Sequence, residues 1–234
     1  MKTVVVFGSG HVARPAIRTL LKMGHPVLVA TNQPEMAQPM VEGFARGEVI
    51  ETDVTNATRV REIVRRGDAA ISLLPRIFHV LIAEACLEES RHFVTTSYVS
   101  EEMRGLDGPA RRSELLFLNE IGADPGIDHM QAIKLIHGVQ NKGGHVTGIY
   151  SVCGGLPAPE ANDNPLGYKI SWSPRGVAMT GQRRARYLEN GKVVHVGPYE
   201  IFQSARKVEI DGLGTMETYA NGDSLRFIDE YALQ

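Results

Sequence analysis

Cysteine is almost missing from this 234-residue chain: only Cys86 and Cys153 occur, and no CxxC pair is present. That excludes a disulfide framework or a thiolate zinc cluster and fits a reducing compartment, with the cytoplasm as the expected location. A charge excess is missing too. Lys and Arg number 25 against 27 Asp and Glu, a formal net charge of −2. Residues 1–126 hold 14 basic and 16 acidic side chains, and residues 127–234 hold 11 of each. Neither half offers the basic surface that nucleic acid needs. No apolar run exceeds about six residues, too short to cross a membrane, and MKTVVVFGSG at the N-terminus has no signal-type cleavage site. Internal repeats and low-complexity tracts are also missing. What remains, 43% hydrophobic and 22% charged, is the composition of a globular protein long enough to bury a core.

The first half alternates strand-like and helix-like segments. Strands are predicted over 3–7, 26–31, 48–54, 69–74, 92–98 and 115–122. Helices are predicted over 12–23, with Val12, Ala16, Leu20 and Met23 facing inward, over 57–66, with Ala57, Val60, Ile63 and Val64 inward, and over 76–89. This alternation implies an α/β fold with a doubly wound parallel sheet. Its first turn, Gly8-Ser9-Gly10-His11-Val12-Ala13, has the G-x-G-x-x-G/A form between a strand and a helix. Gly8 permits the tight turn, Gly10 lets a pyrophosphate approach the backbone, and Ala13 lets helix and strand pack closely. After the second strand stand Ala30, Thr31, Asn32 and Gln33, all uncharged. The absence of an acid there leans towards NADP, with NAD as the alternative, since no arginine stands there either.

Two segments of the second half remain. NEIGADPGIDHM, residues 119–130, sets Asp124 and Asp128 around a Pro-Gly turn after the sixth strand, where doubly wound sheets place ligands. Helix capping accounts for Asp128; Asp124 is the functional candidate. CGGLPAPEANDNPLGYKISWSPRG, residues 153–176, carries four prolines, four glycines and the only tryptophan. Prolines and glycines specify a path that regular structure cannot follow, and Leu156, Leu166, Tyr168, Ile170 and Trp172 are residues of a buried type, so an ordered functional loop is expected. A helix follows residue 127, and strands are expected near 145–153, 192–197, 201–210 and 215–220. His129 and His137 are read as ordinary helix histidines, and no metal-ligand spacing occurs.

The blocks GSGHVARP, DVT, SLLPRIFH, TTSYVS, NEIGADPGIDH and CGGLPAPEANDNPLGYKISWSPRGV, in this order, resemble the glutamate-forming saccharopine dehydrogenase (saccharopine reductase) family. The resemblance implies a Rossmann-type domain over 1–122 and part of an α+β substrate domain over 123–234. It implies reversible NADPH-dependent reduction of the imine of glutamate and 2-aminoadipate 6-semialdehyde to saccharopine, in lysine metabolism, with a small amino acid as substrate. A homodimer is compatible with it. Ser9, Gly10, His11 and Val12 would line the cofactor phosphates. Thr31, Asn32 and Gln33 would surround the adenosine ribose, and Asp53 and Val54 the adenine. Leu74, Thr95, Thr96, Ala123, Pro125 and Ser173 would approach the nicotinamide half. Ser97, Tyr98 and Asp124 would contact the substrate, with Asp124, Tyr98 and Cys153 as candidates for proton handling. Arg175 would clamp a carboxylate, a solvated loop arginine being the other reading; for Cys153 the other reading is a small packing residue.

The family's arginine after the second strand is Asn32 here, and its P-N-R-D-S block reads A-N-G-D-S, with Gly222 at the arginine's place. Gly222 leaves room for a related carboxynorspermidine or homospermidine synthase, which the GGLPAPE block disfavours. Family chains also continue past the position of Gln234. An incomplete second sheet is therefore expected, and with it self-association or poor expression and very slow saccharopine oxidation, or a dinucleotide-binding module without turnover.

Overall fold

The computed structural model describes residues 1–165, 167–169 and 174–233, the side chains of Pro174 and Arg175 excepted. The chain divides into two units, Met1–His129 and Met130–Gln234. In the first unit β1 (Val4–Phe7), α1 (Ala13–Lys22), β2 (Val27–Thr31), α2 (Pro34–Val41), β3 (Gly47–Glu51), α3 (Ala57–Arg65), β4 (Ala69–Ser72), α4 (His79–Glu88), β5 (His92–Thr95), α5 (Glu101–Gly105), α6 (Asp107–Arg112) and β6 (Phe117–Leu118) follow one another. The six strands form one parallel sheet in the order β3-β2-β1-β4-β5-β6. This is the doubly wound order with its switch point between β1 and β4.

Strand alternation sends side chains to both faces of the sheet, and both faces are covered. Val5, Phe7, Leu28 and Ala70 pack with Val60, Ile63 and Val64 of α3 and Ile82, Ala83 and Cys86 of α4. Val4, Val6, Val27 and Val29 pack with Ala13, Ile17 and Leu21 of α1 and Ala37, Met40 and Val41 of α2. Burial pushes the Cys86 thiol up to about 12, which makes it an inert core group.

Several boundaries and faces differ from expectation. The buried stripe of α1 is Ala13-Ile17-Leu21, not the register of Val12 and Met23, which are 54% and 66% exposed. Ala13 must lie against the strand for the glycine turn to close, and this sets the helix rotation. In α3, Ala57 faces solvent while Val60, Ile63 and Val64 are buried. β3 stops at Glu51 rather than residue 54, because Asp53 Oδ1 accepts from the Thr55 amide and hydroxyl at 2.9 and 2.7 Å and turns the chain. β5 stops at Thr95, since residues 97–99 bond across to 120 instead of along the sheet. Helix α2, which no predicted segment covers, has Pro34 in its first turn, where no amide is needed, and Pro39 within it.

In the second unit α7 (Ile127–Gln140) enters from the first, and α8 (Pro174–Ala178), β7 (Ala185–Glu189), β8 (Lys192–Val196), β9 (Arg206–Ile210), β10 (Gly214–Thr218), β11 (Gly222–Asp223) and α9 (Arg226–Glu230) follow. β7 and β8 form a hairpin across Asn190-Gly191, both at positive φ (50° and 73°), and β11 pairs parallel with β7. β9 and β10 form a second hairpin. The expected strand over 145–153 is not formed; Tyr150 and Val152 are exposed and no strand pairs with them among the described residues. A β-rich sequence without a partner for its backbone groups does not become a strand. The segment expected at 201–210 is a strand only from Arg206, after a 3-10 turn over Ile201–Ser204.

Candidate active site

The candidate cofactor cradle lies at the ends of β1 and β2. Gly8 has φ +104°, and a Cβ on it would stand 3.0 Å from the Leu73 carbonyl oxygen, so this turn admits only glycine. A Cβ on Gly10 would meet nothing within 4 Å. Space is open there. No side chain caps the α1 N-terminus, and its first turn holds no acid. The Ala13 amide donates to Gly10 O at 3.0 Å and Pro15 has none, but an uncapped helix end of positive sign beside open space is what a pyrophosphate requires, so the residues present fit a dinucleotide. The buried Ser9 hydroxyl bonds the Thr31 hydroxyl at 2.8 Å, and Thr31 Oγ1 accepts from the Gln33 amide at 3.1 Å. These bonds fasten the β2 end to the glycine turn, with Asn32 and Gln33 exposed and His11 at the surface. Asp53 is exposed after β3, and its Thr55 bonds hold its carboxyl below the usual range. Val54 and Leu74 are part-buried against the core.

A second group sits at the same carboxyl edge, after β4, β5 and β6. The Glu120 amide donates to Ser97 O at 3.2 Å, the Ile121 amide to Thr95 O at 3.2 Å, and the Val99 amide to Glu120 Oε1 at 3.0 Å. This lattice brings the segment after β5 against the segment after β6. Exposed Tyr98 then donates its hydroxyl to Asp124 Oδ1 at 2.5 Å. The His129 ring stands edge-on to Tyr98, with centroids 6.4 Å apart, and its Nε2 lies 3.5 Å from Glu120 Oε2. Asp128, the second residue of α7, reaches back and its Oδ1 accepts from the Gly126 amide at 2.7 Å, so it braces the start of the helix from within instead of standing as its N-cap. Pro125 is buried, Ala123 is exposed beside Asp124, and Thr96 lies under the 122–126 turn.

His79 has no role in the sequence reading, yet it lies at the middle of this edge. It is 4% exposed, with Nδ1 2.8 Å from Ser72 Oγ and Nε2 2.7 Å from Ser97 Oγ. Burial, helped by Arg76, pushes its pKa down to about 4. The available signal was a lone histidine opening an apolar helix, three residues after Arg76, and such a residue is usually packing. A cavity of about 360 Å³ opens beside it, lined among others by Arg76, Ile77, Thr95, Tyr98 and Asn119.

A stability consequence follows. The folded pKa of His79 lies below the unfolded value of 6.5, so the unfolded chain takes up the proton first as pH falls. This contribution is complete above about pH 6.5 and is lost between there and about pH 4, amounting to roughly 3 kcal/mol. Asp68, Glu89 and Asp223, whose carboxyls are held low by ion pairs, lose stability in the same direction at lower pH. The His79 share is therefore read as a difference. The melting temperature of wild type should fall more between pH 7 and 5 than that of His79→Gln, by several degrees; parallel curves would contradict the burial of a neutral imidazole.

In the second unit Cys153 is exposed in an irregular segment, with no strand before it. Leu156 is 57% exposed, against the burial expected of it, and Tyr168 is part-buried. Leu166, Ile170, Trp172 and Ser173 lie outside the described residues, as does the Arg175 side chain. Gly222 stands in β11 at φ +62° with open space where a Cβ would be, next to Asp223, which Arg186 pairs at 2.6 Å.

The sheet order and the glycine cradle define the first unit as a dinucleotide-binding domain of Rossmann type. Residues 4–118 match the family model described as the saccharopine dehydrogenase NADP binding domain, and residues 122–234 match the saccharopine dehydrogenase C-terminal domain. The chain belongs to the saccharopine dehydrogenase family. It is 39% identical to the NADP-dependent, L-glutamate-forming saccharopine dehydrogenase of Pyricularia oryzae, over 99% of the chain and 52% of that enzyme. It is 35% identical to the mitochondrial alpha-aminoadipic semialdehyde synthase of Mus musculus, over 99% of the chain and 25% of that protein. The solved apo structure of the L-Glu-forming saccharopine dehydrogenase of Saccharomyces cerevisiae superposes with a TM-score of 0.89 at 37% identity, over 100% of the chain and 52% of that enzyme. The chain thus spans about half the length of the fungal relatives it matches. No helix among the described residues is long and apolar enough to cross a membrane, and no group of metal-binding side chains occurs among them.

Proposed function

We propose that this chain takes part in the reversible, NADPH-dependent interconversion of saccharopine with L-glutamate and 2-aminoadipate 6-semialdehyde, through the imine that the two form. The observation that supports this most is the Tyr98–Asp124 pair at the same sheet edge as the open glycine cradle. Bound NADPH supplies the hydride for the imine carbon. The chain's own residues orient and exchange protons. In this reading residues 1–122 hold the dinucleotide, with Ser9–Val12 at the pyrophosphate, Thr31–Gln33 at the ribose, and Asp53 and Val54 at the adenine. Leu74, Thr95, Thr96, Ala123, Pro125 and Ser173 lie along the nicotinamide half. Asp124 accepts from Tyr98 and can pass that proton on to the substrate nitrogen, or hold its ammonium form. Ser97 and Arg175 serve substrate oxygens, and Cys153 is the third proton-handling candidate, from the part of the substrate domain within 123–234. A cytoplasmic location and a homodimer go with this reading, the latter tested by light scattering. The test of function is NADPH formation from saccharopine and NADP, followed by absorbance; absence of both turnover and NADPH binding would refute it.

Gly222 supports a second reading. Open space stands where the family has an arginine, so the substrate carboxylate it would serve is in question, and a carboxynorspermidine- or homospermidine-type imine reduction is the alternative. Competition by saccharopine against the corresponding polyamine substrates separates the two.

The cofactor phosphate gives a further expectation. Asn32 is exposed and uncharged at the end of β2. An arginine there would add a charge-assisted bond to a 2′-phosphate, about 1.5–3 kcal/mol. Asn32→Arg should raise NADPH affinity about 10- to 100-fold and leave NADH within about twofold. Fluorescence titration of both cofactors checks this, and equal gains for the two would place the ribose elsewhere.

A further inference from the structure

The hydrogen bonds around His79 have a direction, and it reaches the substrate side of the site. Ser72 is fully buried, and its hydroxyl has one acceptor among the described residues, His79 Nδ1 at 2.8 Å. A buried hydroxyl without an acceptor is disfavoured about 10-fold or more. Ser72 therefore donates, and Nδ1 is the unprotonated nitrogen. Thr95 Oγ1 also stands 3.3 Å from Nδ1, but its proton goes to the Ser72 carbonyl at 3.0 Å, so it leaves Nδ1 as the acceptor that the buried Ser72 hydroxyl needs. A neutral imidazole carries its one proton on the other nitrogen, so Nε2–H donates to Ser97 Oγ at 2.7 Å. Burial of the ring keeps it neutral at pH 7. The inward need of Ser97 is then met by accepting, and its own proton is left for a partner outside.

We infer that His79 is a positioning residue that fixes Ser97 as a hydrogen-bond donor to an sp² oxygen of the bound ligand. That oxygen belongs either to a carboxylate of the amino-acid substrate or to the carboxamide of the nicotinamide. The opposite tautomer would draw the Ser97 proton inward and present only lone pairs, which suit an ammonium group. The inference rests on the reading of the site as a dinucleotide and amino-acid site, but the tautomer itself does not.

Long-range ¹H–¹⁵N correlation spectra of the full chain, with His79 assigned by the spectrum of His79→Gln, decide the tautomer without any ligand. An Nε2–H pattern is expected, and an Nδ1–H pattern overturns the inference. Titrations with NADPH, and with L-glutamate in the presence of NADP, decide the recipient. If the substrate carboxylate is the partner, Ser97→Ala should weaken L-glutamate about 10- to 100-fold and leave NADPH unchanged. If the carboxamide is the partner, NADPH weakens instead, by up to about 10-fold. No loss for either overturns the ligand half. His79→Leu should reproduce the Ser97→Ala loss, whereas His79→Gln, which keeps an N–H donor near the Nε2 position, should restore most of it. Equal losses in the two His79 variants would point to packing alone and overturn positioning. A wild type that binds neither ligand refutes the functional reading and the ligand half together; the spectrum still decides the tautomer.

Discussion

Gly10→Val should lower NADPH affinity at least about 100-fold while leaving the melting temperature within a degree or two of wild type. The two halves of this expectation have separate causes. A Cβ on Gly10 meets nothing within 4 Å, so the free protein has room for the side chain. That room is the volume a pyrophosphate would fill against the α1 N-terminus, where the amides have no side-chain cap. Displacing the pyrophosphate sacrifices at least two charge-assisted bonds of about 1.5–3 kcal/mol each. Gly8 is the internal control. At φ +104° and 3.0 Å from the Leu73 carbonyl, Gly8→Val should destabilise the fold itself and lose binding as a consequence. Fluorescence titration and thermal melts on both variants separate the cases. Unchanged NADPH affinity in Gly10→Val would move the cofactor away from this turn.

The sequence made the sheet legible because both of its faces are buried. Strands such as 4–7 and 27–31 read as unbroken apolar runs, and the helices between them keep a 3.6-residue stripe. What the pattern could not give was rotation and partners. The α1 stripe was displaced by one residue because Val12 and Met23 are as apolar as Ile17, and only the packing of Ala13 on the strand decides between them. Residues 145–153 have strand composition and form no strand, because composition does not supply a neighbour. β7 was overlooked although Asn190-Gly191 marks its hairpin; Arg186 and Glu189 interrupt the apolar alternation, and they face Asp223 and Arg206. The site divides in the same way. The glycine turn is a local motif and was visible. The Ser72–His79–Ser97 chain joins segments 25 positions apart and exists only once β4, α4 and β5 lie side by side.

Tyr98 and Asp124 are 26 positions apart, and the lattice between residues 95–99 and 120–121 brings them into contact. If the pair moves the proton at the substrate nitrogen, Asp124→Asn and Tyr98→Phe should each reduce kcat/KM for saccharopine oxidation about 10²- to 10⁴-fold, the usual range for a positioned acid–base group. NADPH affinity should stay within about threefold, since the cradle at Gly8–Val12 lies after β1, and the pair lies after β5 and β6. The two residues share one proton path, so the double variant should be little worse than the poorer single one. Independent roles, Asp124 holding the ammonium group and Tyr98 only packing, would instead give losses that multiply, with most of the Asp124→Asn effect in KM. A salt bridge to an ammonium group would also leave Tyr98→Phe nearly as active as wild type. The pattern of the three variants therefore distinguishes proton transfer from binding, and an Asp124→Asn chain that oxidises saccharopine at the wild-type rate would remove this pair from the chemistry altogether.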